Sequence, residues 1–177
     1  MTTWQVRDAC VGDASALAYL YVDGWRFAYQ NLMPQSYLDS LDAKARIPFW
    51  QKRLDPAARS ADSWRKVACD ETGVVQAVIS YGASRTLKGA AEIYTLYARP
   101  EVVGSGAGHA LMNHALEDLV HHNYHQVHLW VLQGNTRALT FYQRQGFSST
   151  GAVRADELDG TLLHDLEMKR SLDIATS

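Results

Sequence analysis

Cysteine and proline are scarce in this chain, with only two and four among 177 residues. Cys10 and Cys69 are too few for a disulfide scaffold and lack the CxxC spacing of a metal or redox motif, so two free thiols are expected. Long apolar runs are also missing, and the N-terminus lacks the basic and then apolar pattern of a signal peptide. These absences predict a cytoplasmic protein without a membrane-spanning segment.

An excess of charge of one sign is absent as well. The formal net charge is -2 and the isoelectric point is near 6.4, which provides no basic field for nucleic acid. At 47% hydrophobic residues, the chain is long enough for one buried core and short for two. We expect a single domain over residues 1–172, a frayed tail over 173–177 and a small-molecule partner. A homodimer is left open.

Apolar periodicity predicts a chain that mixes strands and helices. Helices are expected from Ala14 to Ala28, over 35–54 as one or two segments, over 105–121, and from Asn135 to Gln145. Gly24 disturbs the pattern of the first helix, and Pro48 is expected to interrupt the second. Strands are expected over 4–9, 64–69, 74–81, 91–98, 126–132, 147–153 and 161–169.

A glycine-dense turn between a strand-like and a helix-like run is the most informative segment. Gly104, Gly106 and Gly108 let the backbone approach a ligand and leave N–H groups free at a helix N-terminus, where an anion is stabilised. His109 and Ala110 follow, so the lysine and hydroxyl residue of a P-loop are missing. His109 also occupies the third small-residue position of a dinucleotide fingerprint. The turn predicts a phosphate cradle of another kind, and a surface turn without a ligand is the alternative.

Four of the seven histidines lie close together, at 121, 122, 125 and 128. Asn123 breaks the helix between them, and no nearby carboxylate or cysteine set completes a zinc shell. No metal site is therefore expected. His128 alternates with Trp130 on a strand and is expected to be a half-buried neighbour.

Two blocks in the C-terminal half resemble the GCN5-related N-acetyltransferase (GNAT) family. The first, residues 91–101 followed by Val-Gly-Ser-Gly-Ala-Gly at 103–108, is similar to the acetyl-CoA motif Q/R-x-x-G-x-G/A. The second, with Asn135, Phe141-Tyr142 and Gly146-Phe147, is similar to the segment that completes the cofactor groove. The resemblance implies an α/β (α+β) GNAT fold, with a mixed, mostly antiparallel central sheet of about six or seven strands flanked by helices.

The resemblance also implies acetyl-CoA as cosubstrate and direct attack by a primary amine in a ternary complex. Val103 stands where the family has Arg or Gln, so the backbone is expected to hold the pyrophosphate without that side chain. The pantetheine arm is expected to pair with strand backbone near the thioester. The cofactor contacts implied are Leu96, Tyr97, Ala98, Val103, Gly104, Ser105, Gly106, Ala107, Gly108, His109, Asn135 and Tyr142.

Tyr142 falls in the family position that protonates the leaving thiolate, and packing alone at the end of its helix is the alternative. Asn135 is expected to cap its helix, to bind the cofactor, or to do both. Glu92 is the first candidate for the general base, directly or through a water, with a structural hydrogen bond as the alternative. His164 and Asp165 are the next candidates.

Trp25 and Tyr29 are the expected acceptor contacts, because the family varies its substrate at the N-terminal helices and the last hairpin. Packing in the core is the alternative for these rings. A small-molecule amine is the preferred acceptor, and a protein N-terminus or lysine is the alternative. A cofactor-binding sensor without turnover is a hypothesis of another class, supported by Val103 and by the unsettled base.

Overall fold

The structure, a computed structural model, describes residues 3–172. Within this range, seven strands form one sheet in the order β1-β2-β3-β4-β5-β7-β6. Among the described residues only the β4–β5 pair is parallel, so the predicted mixed and mostly antiparallel sheet of six or seven strands is confirmed. The strands are β1 (Gln5–Asp8), β2 (Ser63–Cys69), β3 (Val75–Ala83), β4 (Ala91–Ala98), β5 (Gln126–Leu132), β6 (Ser148–Leu158) and β7 (Thr161–Ser171).

Five α-helices pack on this sheet within the described residues. They are α1 (Ala14–Ala28), α2 (Gln35–Ser40), α3 (Ala43–Leu54), α4 (Ala107–His121) and α5 (Thr136–Arg144). Leu111, Met112 and Leu119 of α4 pack in one core cluster with β3, β4 and β5. Leu17 and Leu20 of α1 pack in another with Trp50 of α3. Because neighbouring strand residues point to opposite faces, α1 and α3 lie on the face of the sheet opposite α4.

Gly24 does not interrupt α1, and its place in the helix has a packing reason. A Cβ atom at Gly24 would lie 3.3 Å from Cβ of Tyr97 on β4, so the glycine permits close approach of helix and strand. The prediction for Pro48 is wrong, because this proline lies inside α3. The interruption comes earlier instead, where Asp42 accepts hydrogen bonds from the amides of Lys44 and Ala45 and begins a new helix.

The centre of the sheet is joined over a very short length. β4 and β5 pair only at Ala91–Val127, Glu92–His128 and Ile93–Leu129, although both strands continue for several residues. An extra residue in β4, Tyr94, bulges between the pairs that β3 makes with Ile93 and Thr95. The two strands therefore separate directly after Ile93 and Leu129, and an opening begins at this point.

The expected frayed tail lies outside the described residues. Among residues 3–172, no helix is long and apolar enough to cross a membrane.

Candidate active site

The residues predicted to contact the pantetheine arm lie along the opening between β4 and β5. Leu96, Tyr97 and Ala98 lie on β4 beyond its last pair with β5, while they remain paired with β3 on the other side. In a parallel sheet, the backbone groups of such residues normally bind the neighbouring strand. Here those groups face the opening, which suits an extended ligand that bears amides.

The glycine turn lies at the end of this opening and has the geometry of an anion cradle. Gly104 and Gly106 have φ values of 85° and 97°, a region that side-chain-bearing residues rarely adopt. Gly106 caps the N-terminus of α4. Within residues 3–172, the amides of Gly104, Gly106, Ala107, Gly108 and His109 have no backbone acceptor. Free amides at a helix N-terminus attract an anionic group.

Two residues of the expected set have amides that are already used inside the turn. The N–H of Val103 donates to the carbonyl of Pro100 at 3.3 Å, and that of Ser105 donates to the carbonyl of Val102 at 3.1 Å. The Val103 side chain is 39% exposed. The Trp4 indole also donates to the Ser105 carbonyl, at 3.1 Å, and ties the turn to the N-terminal segment. The turn is held in shape by these bonds, and five amides remain for a ligand.

Helix α5 forms the far wall of the opening. Asn135 caps this helix, since its side-chain oxygen accepts a hydrogen bond from the amide of Ala138 at 3.2 Å. The Phe141 ring lies 3.6 Å from the position of a Cβ atom at Gly108, so α5 packs directly on the first turn of α4. Tyr142 follows and packs edge-on against Phe141 and Phe147.

Three tyrosines from three elements converge beside the opening. The hydroxyls of Tyr29, at the end of α1, and Tyr97, on β4, lie 3.1 Å apart. Burial raises the pKa of Tyr142, and the nearby Tyr29 raises it further. Burial also raises the pKa of Tyr97 and brings that of Tyr29 to about 12. All three phenols therefore keep their protons at neutral pH, as a proton donor must.

The expected acceptor contacts lie on the same side of the opening. The ring of Trp25 packs edge-on against Tyr29, with centroids 5.1 Å apart, and is 6.5 Å from the ring of Tyr97. Tyr37 joins this group at 6.3 Å from Trp25. The N-terminal helices thus bring an aromatic wall to the point where β4 and β5 separate.

Glu92 lies in the paired part of β4, before the opening begins. Its carboxylate is buried and accepts hydrogen bonds from the Arg85 amide at 3.0 Å, from Nε at 3.2 Å, and from Nη2. Burial alone raises the pKa of Glu92, but the hydrogen bonds and charge of Arg85 outweigh it and leave that pKa below its usual range. A weakly basic carboxylate held by a guanidinium accepts a proton poorly, so the geometry argues against Glu92 as the general base.

Asp165 is also engaged in an ion pair. Arg154 donates to its carboxylate from Nε at 2.9 Å, Nη2 lies at an ion-pair distance of 2.9 Å, and the Arg154 guanidinium lies over the ring of Trp130. His164 lies next to it on β7, and its carbonyl accepts a hydrogen bond from the amide of Gln133. Each carboxylate considered for the base is therefore neutralised by an arginine.

His128 is more deeply buried than the sequence predicts, at 2% exposure. Its Nε2 lies 2.7 Å from Ser84 Oγ, and its Nδ1 lies 3.0 Å from a carboxylate oxygen of Glu167. Ser84 Oγ already accepts hydrogen bonds from the amides of Thr86 and Leu87, so its proton points to the imidazole. The group ties three parts of the chain together beneath the opening. Over the described range, no three metal-ligating side chains converge.

A sheet that separates beside an anion cradle has a geometry that suits an extended, phosphate-bearing ligand alongside its fourth strand. The family model described as the acetyltransferase (GNAT) family matches residues 25–147. An N-acetyltransferase of Bacillus subtilis (strain 168) named YuaI, described as uncharacterized, is 32% identical over 140 residues, which cover 78% of this chain and 76% of the relative. The chain belongs to the GNAT family, and the prediction of an acetyl-CoA-dependent N-acetyltransferase is confirmed at this level.

Solved structures share the fold at low sequence identity. The PaiA N-acetyltransferase of Thermoplasma acidophilum, in complex with coenzyme A, aligns with a TM-score of 0.74 at 17% identity and covers 96% of this chain and 99% of that one. The structure of YncA from Salmonella typhimurium with its cofactor acetyl-CoA aligns at 0.70 and 20% identity, covering 99% and 97%. These likenesses confirm the GNAT fold.

Sequence reasoning missed two features of the site. The bulge at Tyr94 depends on register with β3, which local periodicity does not report. Arg85 lies between two strands, and its pairing with Glu92 has no sequence signature. The face of the sheet on which Tyr97 lies was predictable from the sequence, because alternation along β4 places it opposite the core-facing Leu96 and Ala98.

Proposed function

We propose that the protein transfers the acetyl group of acetyl-CoA to the primary amine of a small molecule. The observation that supports this most is the convergence of Tyr29, Tyr97 and Tyr142 at the point where β4 and β5 separate. Acetyl-CoA supplies the activated acyl group. The remaining requirements are orientation of the two substrates, stabilisation of charge on the thioester oxygen, and proton transfer.

The chain offers a residue for each of these requirements except the base. The free amides of Gly104 and Gly106 to His109 would hold the pyrophosphate, and the backbone of Leu96 to Ala98 would orient the pantetheine arm. A backbone N–H of β4 facing the opening would stabilise the oxyanion. The Tyr142 hydroxyl would donate its proton to the departing sulfur.

The acceptor amine would enter on the side of Trp25 and Tyr29. Aromatic rings packed edge-on make a rigid wall that suits a compact amine with an apolar part. Because Arg85 and Arg154 neutralise the nearby carboxylates, we propose that the amine loses its proton to water and not to Glu92.

A thiol-release assay over a panel of acceptors tests the proposal. Small primary amines with an aromatic or aliphatic part are expected to release CoA above background hydrolysis. Peptides with a free N-terminus or an internal lysine serve as the comparison at equal amine concentration. Preference for the peptides would overturn the small-molecule acceptor. Binding of CoA without release from any acceptor would instead favour a sensor.

A further inference from the structure

The anion cradle lies in a stretch without any cationic side chain of lysine or arginine. From Pro100 to Thr136 the sequence contains neither residue type, and Val103 is uncharged. Two arginines near the ends of the opening are used elsewhere. Arg99 Nε donates to the carbonyl of Val75 at 3.3 Å, and Arg26 donates to two carbonyls of the α2 region at 3.1 and 3.0 Å. A polyphosphate ligand at the cradle would need a cation from another element.

Arg137, in the first turn of α5, is the candidate for this cation. Its guanidinium carbon lies 4.5 Å from the centroid of the Phe27 ring on α1. Phe27 lines a groove of about 500 Å³ that is also lined by Pro100 and Glu101, the residues that lead into the cradle. Arg137 therefore reaches from α5 to a ring of α1 that lines the same groove as the residues leading into the cradle.

Packing between α4 and α5 supports this placement. Phe141 follows Arg137 by four residues and so lies on the same helix face. This is the ring that lies 3.6 Å from the Cβ position at Gly108. At the end of the helix, the side chain of Gln145 lies 3.0 Å from the ring of His109. The face of α5 that bears Arg137 is thus turned toward the N-terminus of α4.

Apart from its contact with the Phe27 ring, the charge of Arg137 has no partner among residues 3–172. Within residues 3–172, no carboxylate lies in ion-pair distance of it and it makes no side-chain hydrogen bond. A positive charge in the first turn of a helix is also unfavourable, because the N–H groups there already carry partial positive charge. The stacked guanidinium is held on the Phe27 ring with its hydrogen-bond donors unused.

We propose that Arg137 binds a phosphate of the CoA nucleotide and supplies the charge that position 103 lacks. This inference rests on the proposed use of acetyl-CoA. A guanidinium can bind a phosphate through two parallel N–H bonds, and such charge-assisted bonds are stronger than bonds to neutral groups. Both the diphosphate and the 3′-phosphate offer this chemistry.

Calorimetric titration of the full chain with CoA, 3′-dephospho-CoA and pantetheine tests the proposal. Arg137→Gln is expected to weaken CoA binding by about tenfold or more and to leave pantetheine binding unchanged. Arg137→Lys should recover part of the affinity. Arg144→Gln, at the other end of the same helix, is the matched control and should change CoA affinity less than about twofold. If dephospho-CoA is insensitive to Arg137→Gln, the contact is the 3′-phosphate, and otherwise it is the diphosphate.

The failures of the two proposals are distinguishable. Equal CoA affinity in wild type and Arg137→Gln would overturn the role of Arg137 alone. Loss of CoA and pantetheine binding by the same factor would also overturn it, since the arginine would then only support α5. Absence of CoA binding by the wild-type protein would overturn the use of acetyl-CoA.

Discussion

Replacing Arg85 by methionine would leave the carboxylate of Glu92 buried without its partner. In the native chain, Glu92 is 1% exposed and accepts three hydrogen bonds from Arg85, two of them from the guanidinium. Loss of a partner from a buried ion pair costs about 3 to 5 kcal/mol. Because the Arg85 side chain is itself 60% exposed, solvent screens part of this interaction. We expect Arg85→Met to lower the free energy of unfolding by about 2 to 3 kcal/mol at pH 7.5.

The difference in the free energy of unfolding between the two proteins should change with pH in one direction. In the native protein the pKa of Glu92 lies below its unfolded value, so the pair stabilises above the unfolded pKa and its contribution is lost as pH falls through the folded pKa. In Arg85→Met the backbone amide at position 85 still donates to Glu92, but the hydrogen bonds and the charge of the guanidinium are lost. Burial then dominates, and we expect the pKa of Glu92 to rise above the unfolded value. The variant then regains stability as the carboxylate is protonated. The gap between the two proteins should narrow from pH 7.5 to pH 4.

Urea unfolding followed by tryptophan fluorescence measures these differences. Glu92→Gln removes the buried charge, so the double variant Arg85→Met/Glu92→Gln should be more stable than Arg85→Met alone by about 1 kcal/mol. Lys88→Met, in the same connection between β3 and β4, is the matched control and should change stability by less than about 0.5 kcal/mol. An Arg85→Met variant as stable as wild type, or a gap that does not change with pH, would refute the reasoning.

The Glu92→Gln variant also tests whether Glu92 is the general base. If Glu92 only supports the sheet, Glu92→Gln keeps the acidic limb of the pH profile of kcat/KM at its wild-type position. Removal of a general base would lower the rate by about a hundredfold or more and remove that limb.

Three further predictions concern the cofactor groove. Tyr142→Phe should lower kcat by about a hundredfold with the Kd of CoA changed less than about twofold, and equal losses in both would mean that the ring only packs. Val103→Arg should tighten CoA binding about three- to tenfold by calorimetry, and Val11→Arg, at another exposed valine, should not. Gly106→Ala should destabilise the protein by about 1 kcal/mol and weaken CoA binding, because φ is 97° there. Gly89→Ala, at φ 82°, should show the stability loss without the binding loss.

The fold was predictable wherever a local pattern determines it. Glycine spacing located the turn before α4, and Asn135 located the start of α5, because both depend on a few neighbouring residues. The prediction for Pro48 failed because a proline often ends a helix, whereas the helix that Asp42 caps continues through this one. In the site, the sequence indicated Glu92 as a candidate residue, but it did not indicate that the carboxylate is held in an ion pair. That state depends on Arg85, which a turn of the chain brings back to it.

The short junction between β4 and β5 has a mechanical consequence. The middle of a sheet is ordinarily its stiffest part, but here three residue pairs connect the four strands on one side with the three on the other. A load applied across the sheet would concentrate at Ile93 and Leu129, and amide exchange at this junction should be faster than in the β2–β3 pair, which is joined along its whole length. An extended ligand bound in the gap would connect the two parts of the sheet and reduce the motion of one relative to the other.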